Sequence, residues 1–260
     1  MVTGAEEIAA ARAAVQVVQI AHKNGWGDRI RDSFKHKHHV LVLGSSGTGK
    51  SNLLESLKTL IPQAIDHMDR TEHGRTERLK LDSEPFVFHD TPGQLAHAPR
   101  RRAQILEALK HPPLGIINVT CWGYHEGRSG RGEALDDQYH PREDWLERNR
   151  LLELKAMEEW IDIVGEHRTK PQWVMTLVSK SDLWRGDRER VIRYYGEGEY
   201  GQRLEHVSVD GHSVFEYCSV IHRYFKDGYV SGEFDDDARI HLRERFITQL
   251  LLAAVKRAGR

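Results

Sequence analysis

The sequence predicts an α/β fold, in which a mostly parallel sheet is covered by helices on both faces. Short apolar runs with the composition of buried strands alternate along the chain with segments of helical spacing. This order is typical of parallel sheets whose strands are connected through helices. Residues 77–81 and 86–89 also indicate a short hairpin. We therefore expect six strands, of which one is an antiparallel edge strand.

The predicted elements begin with a helix that precedes the main domain. Residues 5–22 are rich in Ala, Glu and Gln, and their apolar positions recur at helical spacing. We interpret residues 1–35 as an N-terminal helix and linker, and residues 36–260 as the main domain. In that domain, strands are expected at 40–43, 77–81, 86–89, 114–120, 173–178 and 214–218, and helices at 52–60, 101–109, 145–164, 187–194 and 238–256.

Polar and glycine-rich segments between these elements predict loops. Residues 62–78 begin with a proline and contain few apolar side chains, and residues 197–201 are punctuated by glycine. The connection from residue 122 to about residue 170 is longer than a single crossover helix requires, which indicates an insertion. Its aromatic and arginine side chains are of the kind that binds protein partners, and the alternative is that these aromatic side chains fold back on the core.

Composition excludes several classes of protein. The 260 residues carry a formal net charge of −1, which gives no reason to expect nucleic acid or an anionic membrane as a partner. No segment approaches the ~20 apolar residues that a membrane helix needs. The two cysteines, Cys121 and Cys218, cannot form a disulfide framework. Free thiols favour a reducing compartment, so we expect a cytoplasmic location.

A glycine-rich turn between the first predicted strand and the next helix carries the strongest chemical signal. It matches G-x-x-x-x-G-K-[ST] at each fixed position, in the strand–loop–helix context that this motif requires. Such a loop turns successive N–H groups toward one anion, and the following helix adds its positive end. We expect a nucleotide with Mg²⁺ at residues Gly44, Ser45, Ser46, Gly47, Thr48, Gly49, Lys50, Ser51 and Asn52.

Three further motifs follow predicted strands in the same chain order. The first is DTPG at residues 90–93, the second SKSD at 179–182, and the third EYCSV at 216–220. In an open α/β sheet, the carboxyl ends of the strands form the edge where ligands bind. With the glycine-rich loop, this order resembles the P-loop GTPases of the Ras-like and translation-factor-like type, over roughly residues 38–256.

The resemblance implies roles for residues near the phosphates and the metal ion. Asp90 would hold Mg²⁺ together with Ser51, and the Gly93 N–H would contact the γ-phosphate. Thr76 would be the switch threonine, with Thr71 as the alternative, and would complete the set of metal ligands. Loops 62–78 and 91–100 would then be the two switches, ordered by the γ-phosphate.

The resemblance also implies a guanine site. Asp182 would accept hydrogen bonds from the N1–H and 2-amino groups of guanine, a pair of donors that adenine lacks. Lys180 would lie along the base, and Ser179 replaces the Asn or Thr that the family pattern has there. Cys218 and Ser219 would approach guanine O6 through their backbone N–H groups.

Gln94 directly follows Gly93, where Ras-like proteins orient the attacking water, so we expect Gln94, Lys50 and Thr76 to act in GTP hydrolysis. Arg70 and Arg75 flank the candidate switch threonines and could supply an arginine finger. The leading hypothesis is a GTP-hydrolysing switch that is slow without a partner and that binds this partner through its switch loops or insertion. The alternatives are an ATP-using P-loop enzyme and a non-catalytic nucleotide-binding scaffold.

Overall fold

The computed structural model describes residues 4–73, 85–93, 97–112, 114–126, 131–167, 169–221, 223–226 and 234–257. The chain divides into two compact units, each of which is built from separated segments. The first unit comprises Met1–His38, Leu53–Val87 and Asp235–Arg260, and the second comprises His39–Asn52 and Phe88–Phe234. None of the described helices combines the length and the apolarity needed to cross a membrane.

The described residues form helices and strands in the alternating order that the sequence predicts. The helices are α1 (Gly4–Lys23), α2 (Gly27–Ser33), α3 (Lys50–His73), α4 (Ala98–Ala108), α5 (Arg131–Ala134), α6 (Glu143–Gly165), α7 (Arg188–Gly196), α8 (Glu199–Leu204) and α9 (Asp236–Arg257). The strands are β1 (His38–Leu43), β2 (Phe86–Asp90), β3 (Leu114–Thr120), β4 (Trp173–Val178) and β5 (His212–Glu216).

The strands form one five-stranded sheet in the order β2-β1-β3-β4-β5. Parallel ladders join β1 to β3, β3 to β4 and β4 to β5, so the carboxyl ends of these four strands lie at one edge. β3 is buried along its whole length, which explains its continuous apolar composition. The α/β fold class is confirmed.

Three details of the predicted elements need correction or fall outside the described part. Five strands are described instead of six, and the expected antiparallel edge strand at 77–81 lies outside the described residues. The loop expected at 62–78 is wrong for residues 62–73, because α3 continues to His73. Residues 197–201 are not a loop throughout, since α8 begins at Glu199.

Pro62 misled the interpretation of α3. A proline inside a helix removes one hydrogen bond and normally ends the helix. Here apolar residues on both sides of Pro62 continue the same buried stripe at helical spacing, and their burial maintains the helix. The residues of this stripe are Leu57, Leu60, Ile61, Ala64, Ile65 and Met68.

The first unit pairs the N-terminal and C-terminal helices. One face of α1 is composed of buried alanines and valines, and small side chains let another helix approach closely. α9 packs against α1, and its wide apolar face is thereby covered. Polar contacts fix the pair: Arg243 Nη1 lies 3.2 Å from Glu6 Oε1, and Thr248 Oγ1 lies 3.3 Å from Gln16 Oε1.

Candidate functional site

The glycine-rich turn between β1 and α3 has the shape of a phosphate-binding loop. Gly44, Gly47 and Gly49 all have positive φ, at 137°, 81° and 89°. A Cβ atom on Gly44 would lie 2.2 Å from the carbonyl oxygen of Val119, so the turn excludes any larger residue there. The loop therefore folds so that its backbone N–H groups can surround an anion at the start of α3.

Lys50 extends over this loop instead of pointing into solvent. Its Nζ donates to the carbonyl oxygens of Gly44 at 2.7 Å and Ser45 at 2.8 Å. The pKa of Lys50 is lowered from 10.5 to about 8, chiefly because the side chain is buried. The charge of Asp90 opposes this shift, and the charge of Arg101 adds to it. A buried ammonium that donates to two carbonyl oxygens is poised to bind an anion, because the anion would stabilise its charged form.

The DTPG turn after β2 closes against the phosphate-binding loop. The Ser46 N–H donates to the Gly93 carbonyl at 3.0 Å. A Cβ on Gly93 would lie 2.6 Å from the backbone nitrogen of Ser46 and 2.7 Å from the carbonyl carbon of Ser45, so only glycine allows this approach. The buried Thr91 hydroxyl donates to the Val42 carbonyl at 2.9 Å and fixes the turn to β1.

Arg101 on α4 holds the same turn from the other side. Its Nη1 donates to the Pro92 carbonyl at 3.1 Å, and its Nη2 forms a 2.6 Å ion pair with Glu159 on α6. The Arg101 side chain is 6% exposed, so this pair is shielded from solvent. The position of Pro92 is thus linked to α6 through one buried guanidinium group.

The SKSD loop after β4 contacts the phosphate-binding loop directly. The Ser179 hydroxyl donates to the Thr48 carbonyl at 2.5 Å, and the Ser179 N–H donates to the Thr120 carbonyl at 2.8 Å. Trp184 Nε1 donates to the Ser179 carbonyl at 2.7 Å. Although Ser179 departs from the family pattern, its short side chain joins the two loops.

Asp182 lies at the same edge of the sheet as Lys50, as the sequence predicts. Its side chain is fully buried, and the Cys218 thiol donates to its Oδ1 at 3.3 Å. The ends of β4 and β5 therefore bring together the two residues that sequence reasoning placed beside the base.

A cavity of about 700 Å³ lies at this edge, within the range of small-molecule sites. Eleven of the predicted nucleotide-binding residues line it: Ser46, Gly47, Gly49, Lys50, Ser51, Asn52, Asp90, Gly93, Ser179, Lys180 and Ser219. The remaining ones, Gly44, Ser45, Thr48, Asp182 and Cys218, are not among its lining residues but lie in the loops that form it.

Several predicted residues cannot be placed in this site. Gln94, Thr76 and Arg75 lie outside the described residues. Thr71 and Arg70 belong to the last turn of α3, in a part of the chain expected to be a switch loop. Their catalytic and metal-binding roles therefore stay predictions.

Sequence reasoning missed some residues that line the cavity. Thr91 and Pro92 lie within a motif that was recognised, and their place follows from it. His97 and Arg100 lie in the segment 91–100 that was expected to be a switch loop, but that expectation is wrong for residues 98–100, because α4 begins at Ala98. Glu126 comes from a glycine-rich segment without strand or helix periodicity, and nothing in the sequence connects it with residues 179–182.

The donor set at one end of the cavity suits a hard divalent cation. Ser51 and Asp90 both line the cavity, and hydroxyl and carboxylate oxygens are the ligands that Mg²⁺ prefers. Asp90 is also close enough to Lys50 to raise its pKa. The described residues therefore fit a magnesium ion beside bound phosphates.

A second group with metal-binding atoms, Cys121, His125 and Glu153, is buried within the same unit. The Glu153 Oε1 already accepts from the Cys121 N–H at 2.9 Å and from His125 Nε2 at 3.0 Å. Burial would raise the pKa of Glu153, but hydrogen bonds from His125 and Tyr195 lower it below its usual value. Burial raises the pKa of Cys121, which favours the neutral thiol. We interpret the group as a structural anchor.

A GTPase family model matches the part of the chain that contains the phosphate-binding loop and the DTPG turn. Residues 39–135 match the family model described as 50S ribosome-binding GTPase. Over 203 residues, the chain is 25% identical to ABC transporter D family member 1 of Dictyostelium discoideum. That alignment covers 76% of this chain and 26% of the relative, so the chain spans about a quarter of its length.

Among solved structures, the chain is similar to the Ski7 GTPase-like domain of S. cerevisiae, bound to GTP. The identity is 14%, and the alignment covers 78% of this chain and 48% of that chain. The TM-score of 0.36 is too low to support a conclusion about the fold. The family match at residues 39–135 and the phosphate-binding loop and DTPG turn within that range support a P-loop GTPase G domain.

Proposed function

We propose that the chain binds GTP and GDP with Mg²⁺, hydrolyses GTP slowly, and acts as a molecular switch that a protein partner reads. The observation that carries this proposal is the hydrogen bond from Ser179 to the Thr48 carbonyl. It joins the SKSD loop to the phosphate-binding loop beside one cavity, so that a single nucleotide can contact both.

Base selection rests on the carboxylate of Asp182. Guanine presents its N1–H and 2-amino groups side by side, and one carboxylate can accept both hydrogen bonds. Adenine offers no such pair at that edge, and its approach would leave a buried carboxylate without strong donors, which is unfavourable. The full burial of Asp182 makes this discrimination large.

Phosphate binding rests on Lys50, on the loop N–H groups and on the magnesium ligands. Lys50 would exchange its contacts with the Gly44 and Ser45 carbonyls for the β- and γ-phosphates. Ser51 and Asp90 would hold Mg²⁺, with Thr76 as the third protein ligand. The ion would neutralise charge on the phosphate oxygens.

The switch depends on Gly93. The Ser46 N–H that a γ-phosphate would contact is bonded to the Gly93 carbonyl, and Gly93 lies against Lys50. A γ-phosphate competes for the same place, so its arrival displaces Gly93 and moves the DTPG turn. Gln94, the next residue, would then orient the attacking water.

The second candidate is an ATP-using P-loop protein. The 25% identity to an ABC transporter is the observation that favours it. In that case the bound base would not form hydrogen bonds with Asp182, and adenine nucleotides would compete for the site as well as guanine nucleotides do.

Nucleotide competition and turnover of the purified chain decide between the candidates. We expect GDP to displace a fluorescent nucleotide at least about a hundredfold better than ADP, because rejecting a base that lacks the matching donors is worth several kcal/mol. We also expect slow GTP turnover, which a Gln94→Leu variant should reduce further. Equal competition by ADP would contradict guanine specificity. Guanine preference without turnover in the wild-type chain would favour a non-catalytic scaffold.

A further inference from the structure

Residues 121–126, which directly follow β3, reach the cavity through Glu126, and we call them the 121–126 loop. Glu153 on α6 accepts the Cys121 and Gly123 N–H groups at 2.9 Å and 3.3 Å. Asn149 Nδ2 donates to the Gly123 carbonyl at 3.0 Å. A Cβ on Gly123 would lie 2.2 Å from the Leu146 carbonyl, so the loop is seated directly on α6.

The far end of the 121–126 loop holds the side chain of Lys180. The Lys180 Nζ donates to the Tyr124 carbonyl at 2.7 Å and to Glu126 Oε2 at 2.8 Å. The Lys180 side chain is 9% exposed and that of Glu126 is 28% exposed. Because the pair is largely shielded from water, its attraction is stronger than that of a surface ion pair.

The second oxygen of Glu126 binds another segment near the cavity. Its Oε1 accepts a hydrogen bond from the backbone N–H of Phe225 at 2.9 Å. Phe225 lies in the part of the chain that follows β5. Tyr224 supports the same contact, since its hydroxyl donates to the His125 carbonyl at 2.9 Å. One carboxylate thus connects the SKSD loop with the chain after Cys218 and Ser219.

Both residues that Glu126 holds have an unusual backbone. Lys180 has φ of 55° and Phe225 has φ of 49°, a region that residues other than glycine rarely occupy. Such conformations persist when surrounding contacts hold them in place, and they concentrate at binding sites. The two contacts of Glu126 are of this kind, and Glu126 itself lines the cavity beside Gly47 and Lys180.

We propose that Glu126 is a positioning residue for guanine recognition, which holds Lys180 and the segment after β5 in the geometry that accepts the base. The proposal rests on the guanine binding proposed above. Glu126 acts through Lys180, whose side chain would lie along the base plane, and through Phe225, whose segment follows the residues facing guanine O6. Nothing in the P-loop GTPase motifs of this chain includes Glu126.

The test measures GDP and ADP affinities of the full-length chain and its Glu126→Gln variant. Glutamine can still accept the Phe225 N–H, but it removes the charge that holds Lys180. We expect GDP to bind about tenfold more weakly and ADP to change less than about threefold, so the GDP/ADP ratio falls. Glu133→Gln is the matched control, because Glu133 is an exposed glutamate of the following helix that forms a 3.5 Å pair with exposed Arg148.

A double-mutant cycle shows whether Glu126 acts through Lys180. In a Lys180→Gln background, Glu126→Gln should change the GDP/ADP ratio less than about twofold, because the contact is already lost. Independent, additive effects of the two substitutions would contradict the proposal. Glu126→Asp keeps the charge but shortens the side chain, and should give a ratio between those of the wild type and the Gln variant.

The outcomes separate this inference from the proposed function. An unchanged GDP/ADP ratio in folded Glu126→Gln, with clear guanine preference in the wild type, would overturn the role of Glu126 alone. No guanine preference in the wild type would overturn the proposed function. If Glu126→Gln does not fold, Glu126→Asp decides, and a wild-type ratio in that variant would overturn the inference.

Discussion

The two halves of the cavity are built in different ways. The phosphate half, residues 44–52 and 90–93, relies on backbone groups, glycines and one lysine within short stretches of chain. The proposed base half is formed by the loops at 121–126, 179–182 and 218–220, of which Glu126, Ser179, Lys180, Ser219 and Val220 line the cavity, and it relies on side-chain contacts between distant segments. The difference teaches that the phosphate half is encoded in short stretches of sequence, whereas the proposed base half depends on contacts between segments far apart in the chain.

This contrast has a physical origin. A phosphate can be bound by N–H groups that any residue supplies, so the loop only has to bend correctly. A base must be met by particular side chains in one plane, and those side chains need support. Glu126 and Glu153 supply that support through contacts that span 54 and 32 residues of sequence.

Removing Lys50 should break the phosphate half and affect all nucleotides alike. Lys50→Ala should lower the affinity for both GDP and ADP about a thousandfold, because a buried charge that pairs with phosphate is lost. Isothermal titration calorimetry measures both affinities. Lys58→Ala, at an exposed lysine of α3, is the control and should leave them unchanged. A loss of affinity for GDP but not for ADP would contradict the idea that Lys50 binds only the phosphates.

Removing Arg101 should loosen the DTPG turn. Arg101→Ala leaves the Pro92 carbonyl and the partly buried Glu159 without this partner, which should lower the free energy of unfolding by about 2 to 3 kcal/mol. Urea unfolding measures the change. Arg102→Ala is the neighbouring control, because Arg102 forms an exposed pair with Glu166 and should stay within about 0.5 kcal/mol of the wild type. Equal effects of the two substitutions would refute the role of Arg101.

The second unit should also carry a pH dependence, which comes from His212, the first residue of β5. Burial lowers the pKa of His212 from 6.5 to about 4. Between those values the unfolded chain binds a proton that the folded chain excludes, so stability falls as the pH drops from 6.5 toward 4. From pH 7 to pH 5, His212 should contribute a loss of about 1 to 2 kcal/mol, with its partial exposure taken into account.

The comparison of two histidine variants isolates this effect. His212→Gln should flatten the dependence of the unfolding free energy on pH between 7 and 5, relative to the wild type. His206→Gln, at an exposed histidine of the preceding turn, should not. Parallel pH profiles for His212→Gln and the wild type would show that His212 titrates normally in the folded chain.

The hydrogen bond between the halves should have the smallest effect. Ser179→Ala removes the Ser179 contact with the Thr48 carbonyl and should weaken GDP about fivefold, in keeping with one buried hydrogen bond. Equilibrium binding of fluorescent GDP measures it. Ser181→Ala is the control in the same loop, because the Ser181 hydroxyl has no hydrogen-bond partner among the described residues. Similar losses for both variants would mean that Ser179 contributes only through its place in the loop.

The sequence predicts the fold well where local pattern and burial agree. The buried run of β3 and the amphipathic helices α1 and α9 were predicted because their apolar positions follow the period of the element they form. α3 was cut short at Pro62 because local propensity was overridden by apolar residues on both sides of it. α8 was missed because its glycines suggested a loop.

The residues of the candidate site also fall into those that the sequence could predict and those that it could not. Lys50 and Asp90 belong to motifs of fixed spacing, so their place at the cavity could be predicted. Glu126 could not, because its partner Lys180 lies 54 residues away and no local pattern connects the two. Arg101 was missed for the same reason, since its role depends on α6.

The central claim, that Asp182 selects guanine in this cavity, is tested most directly by exchanging that one carboxylate for an amide. An Asp182→Asn variant can no longer accept both guanine donors, but its amide can donate to the 2-oxo group of xanthine. We predict that GDP affinity falls about a hundredfold while XDP affinity rises above that of GDP. Unchanged preference for GDP over XDP in the folded variant would contradict the account.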